Sequence, residues 1–173
     1  MAFSIIELRN FRCFDSLTID ISSKSNLFYG KNGCGKTSIL ESIYVASCGR
    51  SFRTSNLESL VKKGCNFFKI KAFDDATGSI IELNKTKSRA INIKINNSLV
   101  TISELARTFP SFSIDSKTFF YNDNAPDYRR KHLDRVLFIA SPDYAKNWFG
   151  YFRGLKQRNA ALKIGDISQA KAY

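Results

Sequence analysis

Eight residues, Gly30-Lys31-Asn32-Gly33-Cys34-Gly35-Lys36-Thr37, constrain this chain more than any other stretch. Their spacing is G-x-x-x-x-G-K-[ST]. Before them stands a short apolar run, Asn26-Leu27-Phe28-Tyr29; after them Ile39, Leu40, Ile43, Tyr44 and Ser47 recur at intervals of three and four. The pattern predicts a strand ending at Gly30, a glycine-rich turn, and a helix from Thr37 that Gly49 terminates. Glycines let the backbone bend so that successive N–H groups converge, and the helix start adds its positive end. Such a nest receives phosphate oxygens. Lys36 is placed to reach β- and γ-phosphates, and the Thr37 hydroxyl to ligand Mg²⁺, with Lys31, Asn32, Cys34 and Ser38 completing the cradle. The expected ligand is ATP.

Around this loop the chain divides by pattern. Phe3–Leu8 reads as a strand, Arg9–Phe14 as a turn, and Leu17–Ile21 as a second strand of period two. Further strands are expected at Phe67–Phe73, Ser79–Leu83 and Ile91–Ile95, with Asn96-Asn97 turning into Leu99-Val100 because Asn tolerates positive φ. Residues 50–63 form a basic loop with a short helix, and Ser103–Thr108 a further short helix. Beyond Pro110 the character changes. Pro126 suits the first residue of a helix through about Ala140, and Ser141-Pro142-Asp143 starts another, carrying Tyr144, Trp148, Tyr151, Phe152 and Leu155 at near-helical spacing.

Charge bears on the partner. Of 173 residues, 27 are Lys or Arg and 15 Asp or Glu, a net charge of +12. The excess is spread, with 16 basic against 9 acidic residues through residue 110 and 11 against 6 beyond it. A polyanion, nucleic acid above all, is favoured. Cys13, Cys34, Cys48 and Cys65 show no metal-ligand spacing and His132 is the only histidine, which argues against a zinc site. Free thiols without a secretory signal point to a reducing cytosol, and no apolar run reaches membrane-spanning length.

Turnover would need more than a cradle. An acid ending a second apolar strand should support Mg²⁺ and a base should position water. Asp123, after Phe119-Phe120-Tyr121-Asn122, reads equally as part of a turn, and Val136–Ile139, before Asp143, reads as helix; no catalytic residue is assigned. Among basic residues, Arg50 and Arg53 either touch DNA or a partner or hydrogen-bond loop carbonyls. Lys85, Lys87, Arg89 and Lys94 either track phosphates or protect a sheet edge. Arg129, Arg130 and Lys131 carry an alternative pairing with Asp134. Trp148, Tyr151 and Phe152 read as helix core rather than a base-stacking platform.

Leu8-Arg9-Asn10-Phe11-Arg12, then Asn26-Leu27 leading into the glycine loop, resemble the ATPase heads of SMC-like ABC proteins. Leu40-Glu41-Ser42-Ile43-Tyr44 and Gly49-Arg50-Ser51-Phe52-Arg53 narrow the resemblance to the RecF family. Ile93–Asn97, Arg129-Arg130-Lys131-His132-Leu133-Asp134 and Lys156-Gln157-Arg158-Asn159 agree in order. Ile114 stands before Asp115 where the family usually has proline, and Cys34 replaces Gln or Ala-like residues. The resemblance implies an α/β P-loop NTPase head: an N-terminal lobe with a β-rich subdomain over residues 1–112, and the start of a helical arm over 113–173. It implies a recombination mediator acting in replication-gap repair and the SOS response, a weak DNA-dependent ATPase. The partners it implies are single- and double-stranded DNA, RecR and RecO proteins, and a second copy joined by ATP-dependent dimerisation. Family chains are about twice as long and keep the second acidic motif and signature segment in their C-terminal half. Nucleotide binding without turnover is therefore expected here, as is an exposed sheet edge. The alternatives are a DNA-binding or protein-interaction fragment with a vestigial loop, and a small-molecule P-loop kinase, against which the Asn-Gly-x-Gly loop and the basic charge argue.

Overall fold

The computed structural model of the chain describes residues 3–114, 126–141 and 143–165. It divides into two compact units, residues 1–119 and 120–173.

The first unit is built on one antiparallel sheet. Its strands are β1 (Ile5–Phe11), β2 (Phe14–Asp20), β3 (Phe67–Asp74), β4 (Ser79–Thr86), β5 (Asn92–Ile95) and β6 (Ser98–Leu99), in the order β2-β1-β3-β4-β5-β6. Period-two alternation dictates the layers. In β3 every second residue, Phe68, Ile70, Ala72 and Asp74, turns inward. The register then lines apolar residues across the sheet: Leu8 opposite Ile70, Ile70 opposite Leu83, Leu83 opposite Ile93. Ile70 and Leu83 are fully buried, and each such side chain contributes about 1.5–3 kcal/mol. Helix α1 (Lys36–Cys48) and helix α2 (Ile102–Thr108) complete the core through Val45, Ala46 and Leu105.

Punctuation residues behave as their chemistry requires. Asn96 and Asn97 adopt φ of 48° and 68°, the two left-handed residues of a hairpin turn between β5 and β6. Gly49 ends α1 at φ 64°, its N–H donating to the Val45 carbonyl. Thr101 and Glu104 close a reciprocal capping box on α2. A 3₁₀ turn at Leu57–Leu60 occupies the basic loop.

Three expectations need correction. The anticipated strand over Asn26–Tyr29 does not form, and Leu27 and Tyr29 are 85% and 87% exposed. An extended segment becomes a strand only when its main-chain groups pair, and none of the six strands flanks it. Second, β1 runs past Arg9 to Phe11: Asn10 takes a left-handed φ of 53°, yet the register with β2 is kept across it, Arg9 pairing with Ser16 and Phe11 with Phe14. Third, Lys85 is neither an edge guard nor a phosphate tracker. It is buried on an interior strand, and its ammonium donates to the carbonyls of Thr86 at 2.7 Å, Arg89 at 2.6 Å and Lys87 at 3.5 Å.

The second unit pairs helix α3 (Pro126–Ala140) with helix α4 (Tyr144–Ile164). Asp134 joins them, accepting from the Tyr144 hydroxyl at 2.5 Å and Trp148 Nε1 at 3.0 Å. The hydrogen bond from Tyr144, together with the Asp134 charge and partial burial, pushes the Tyr144 pKa up. Trp148 is half-buried, but Tyr151 and Phe152 are 64% and 40% exposed, so the predicted aromatic core is only partly closed. The segment Phe119–Asp123 and the side chains of Arg129 and Lys131 lie outside the described residues.

Candidate functional site

The site is assembled where the loop after residue 29 enters α1. Gly30, Gly33 and Gly35 take φ of 144°, 84° and 98°, conformations closed to most side chains. Gly35 has a second reason to be glycine. A Cβ there would lie 2.5 Å from Phe14 Cζ and 3.0 Å from Cys13 Sγ, so the loop can pass the β1–β2 hairpin only without a side chain. Gly35 caps α1 with no side-chain acceptor, which leaves the first helical N–H groups directed into the loop. Lys36 folds back across it, donating to the carbonyls of Gly30 at 2.7 Å and Lys31 at 2.8 Å, with Cys34 Sγ at 3.9 Å. The loop is a ring closed by its own lysine.

A cleft of about 650 Å³ opens beside this ring. Of the residues singled out from sequence, Asn32, Gly33, Gly35, Lys36, Thr37 and Ser38 line it. Gly30 and Lys31 lie outside the lining and hold the Lys36 ammonium through their carbonyls, and Cys34, also outside it, has an exposed thiol. The cleft is also lined by Arg12, Arg53, Lys63 and Ser59, so four cations including Lys36 converge on it. Four cations at a ring of amides suit a polyphosphate. Thr37, exposed at the helix start, is the hydroxyl available to a divalent cation held jointly with phosphate oxygens. The described residues include no cluster of three or more His, Cys, Asp or Glu fit to hold a metal on its own.

Sequence reasoning missed what positions these cations. Glu41 on α1 is fully buried. Arg12 Nε and Nη2 donate to its two oxygens at 2.9 and 2.8 Å, and Ser51 Oγ donates at 2.5 Å. Arg53 Nη1 lies 3.6 Å away, so Arg53 is an ion-pair partner of a carboxylate rather than a donor to loop carbonyls. Arg12 Nη1 in turn donates to the Ser59 carbonyl at 2.9 Å. The Arg12 backbone is itself in the left-handed region, φ 52°, fixed by its N–H to the Leu60 carbonyl at 2.7 Å. The available signal was position: Glu41, Val45 and Cys48 share the buried stripe of α1, and a carboxylate on such a stripe requires a cationic partner. Asp143, weighed as a metal-supporting acid, stands at the start of α4 in the other unit, after helix rather than strand.

The AAA domain family matches residues 6–145. The DNA replication and repair protein RecF of Pseudoalteromonas translucida is 38% identical over 167 residues, covering 94% of this chain and 46% of that protein. The solved recombination mediator protein RecF with ATP superposes with a TM-score of 0.83 at 28% identity, over 94% of this chain and 44% of that one. For the fold alone, an SMC ATPase chain matches at a TM-score of 0.62 and 17% identity, over 79% of this chain and 99% of that one. The chain thus spans about half the length of the curated relatives it matches. Its fold is that of a P-loop ATPase head of the RecF and SMC kind.

Proposed function

The chain belongs to the AAA-domain family, and from that premise we propose that it binds ATP with Mg²⁺ through Gly30–Ser38 as part of a RecF-type DNA repair protein. The single observation that carries this reading is the clasp of Lys36 on the Gly30 and Lys31 carbonyls beside a cleft that Lys36 lines with Arg12, Arg53 and Lys63. A ring of amides with an ammonium at its centre matches the charge and shape of a triphosphate tail, and Thr37 supplies the hydroxyl for Mg²⁺. The relatives are named for DNA replication and repair, and one solved neighbour is named a recombination mediator with ATP. On that likeness the role proposed is replication-gap repair and the SOS response in the cytoplasm, on single- and double-stranded DNA, with RecR- and RecO-type partners and ATP-dependent pairing of two heads. The net charge of +12 favours the polyanion.

For this chain by itself the reading is binding without turnover. Glu41 stands behind Arg12 and Arg53 with both oxygens engaged, which removes it as a base for water. The test is titration of a fluorescent ATP analogue with and without Mg²⁺, beside Lys36→Ala. Hydrogen bonds to charged groups are worth about 1.5–3 kcal/mol, so the variant should bind about 100-fold more weakly. Equal binding by Lys36→Ala, or none by the wild type, would leave a vestigial loop. Steady-state hydrolysis abolished by Lys36→Ala would overturn the absence of turnover.

A further inference from the structure

The phosphate cleft leaves one surface of the second unit unexplained. Helix α4 carries Lys146, Arg153, Lys156, Arg158 and Lys163 and no acidic residue. With 3.6 residues per turn, Lys146, Phe149, Gly150 and Arg153 fall on one face, and Tyr144, Trp148 and Leu155 on the other. The second face is the one tied to Asp134. The first is open. Phe149 is 59% exposed, yet its ring is fixed by edge-to-face contacts with Trp148 at 5.2 Å and Phe138 at 6.5 Å between centroids. Beside it a side chain at Gly150 would meet nothing within 4 Å, and the gap is a recess of about 540 Å³ lined by Lys146, Asn147, Phe149, Gly150 and Arg153.

We propose that this recess is a docking site for single-stranded DNA, with Phe149 stacked on a base and Lys146 and Arg153 paired with phosphates on either side. The proposal rests on the DNA-repair reading above and adds the place at which a single strand is held. A solvated helix face mixes charge signs and seldom spends a rigid aromatic ring between two cations; a phosphate backbone with unstacked bases needs that combination. A duplex does not, because its base faces are covered by one another. Seven residues of helix put Lys146 and Arg153 ~10 Å apart, the reach of about three stacked nucleotides. Gly150 admits the sugar or base edge where any side chain would fill the gap.

The experiment uses the whole chain with fluorescein-labelled oligo(dT), an abasic deoxyribose-phosphate oligomer of equal length, and duplex DNA, at several salt concentrations. Phe149→Leu keeps apolar bulk and removes the stacking face, so oligo(dT) binding should fall about tenfold. Arg153→Gln should weaken binding and reduce the salt slope by about one. Gly150→Leu fills the recess while replacing the poorest helix former but proline, so it should raise the melting temperature and still lose oligo(dT). That pairing separates blocked binding from damaged folding. Binding of oligo(dT) by all three variants as by the wild type overturns the proposal, and so does abasic oligomer bound as tightly as oligo(dT). If the wild type binds DNA and the variants are unaffected, only this site fails; if it binds no DNA of any form, the DNA-repair reading fails with it. MgATP affinity should be unchanged in all three.

Discussion

Replacing Glu41 with alanine is the most direct way to ask whether the cations of the cleft are positioned or merely present. The carboxylate has no solvent exposure and receives two bonds from Arg12, at 2.9 and 2.8 Å, and one from Ser51 at 2.5 Å. Removing one member of a buried ion pair costs about 3–5 kcal/mol, because the remaining charge is left without compensation. Arg12 is 22% exposed and can recover some water, and Arg53, 47% exposed at 3.6 Å, adds little. The lower end, about 3 kcal/mol, is therefore expected. For a unit of this size that lowers the melting temperature by about 10–15 °C. Thermal and urea melts of Glu41→Ala, Arg12→Met and the double variant measure it, with a coupling of about 2 kcal/mol expected. Arg12→Gly supplies a backbone control. Glycine accepts φ 52° freely, so it should be about 1 kcal/mol more stable than Arg12→Ala, although both lose the same guanidinium. A Glu41→Ala melt within two degrees of wild type, on the order of half a kcal/mol, or an additive cycle, refutes the clamp.

Gly35→Ala forces φ 98° on a residue with a Cβ and drives that atom to 2.5 Å from Phe14 Cζ; about 3 kcal/mol of stability and most nucleotide affinity should be lost, and Phe14→Ala should recover the clash but not the φ, as paired melts would show. Lys85→Met leaves the Thr86, Lys87 and Arg89 carbonyls without their shared donor and should cost about 2–3 kcal/mol in urea unfolding, whereas Lys87→Met on the exposed loop should cost nothing measurable. The Thr101 N–H and hydroxyl hold the Glu104 carboxyl below the ordinary glutamate range. Its stabilisation is accordingly complete above that range and disappears as pH falls through the lowered value; the stability gap between wild type and Glu104→Gln should close in acid and stay constant from pH 6 upward.

Features decided within a few residues were legible in the sequence. The span of α1 follows from apolar spacing and the terminal Gly49, α3 begins at Pro126 because proline loses nothing at a first helical position, and Asn96-Asn97 turns because both side chains tolerate left-handed backbone. Features decided by distant partners were not. The strand expected over Ser79–Leu83 continues to Thr86 because Lys85 and Thr86 pair with Phe68 and Phe67 of β3, while the Lys85 ammonium is taken up by the Thr86, Lys87 and Arg89 carbonyls. That β1 continues through the left-handed Asn10 to Phe11 is invisible without the register of β2. Glu41 and Arg12 are 29 positions apart, and nothing local ties one to the other.

The segment before Gly30, which pairs with none of the described strands, locates the origin of the cradle's shape. In the sequence, Asn26–Tyr29 looks like the strand that should deliver the chain to the loop, yet Leu27 and Tyr29 project into solvent at 85% and 87% exposure. The loop is nevertheless closed. Its entry is fixed from the other side: the Lys36 ammonium grips the Gly30 and Lys31 carbonyls, Lys36 belongs to α1, and α1 is anchored by Val45 and Ala46 in the core and by the Glu41 clamp to the β1–β2 hairpin. Nest formation thus depends on glycine conformations and one helix, both local to this unit, whereas strand formation depends on partner strands. The phosphate site is consequently built backwards from the helix, which is why its geometry survives where its leading strand does not.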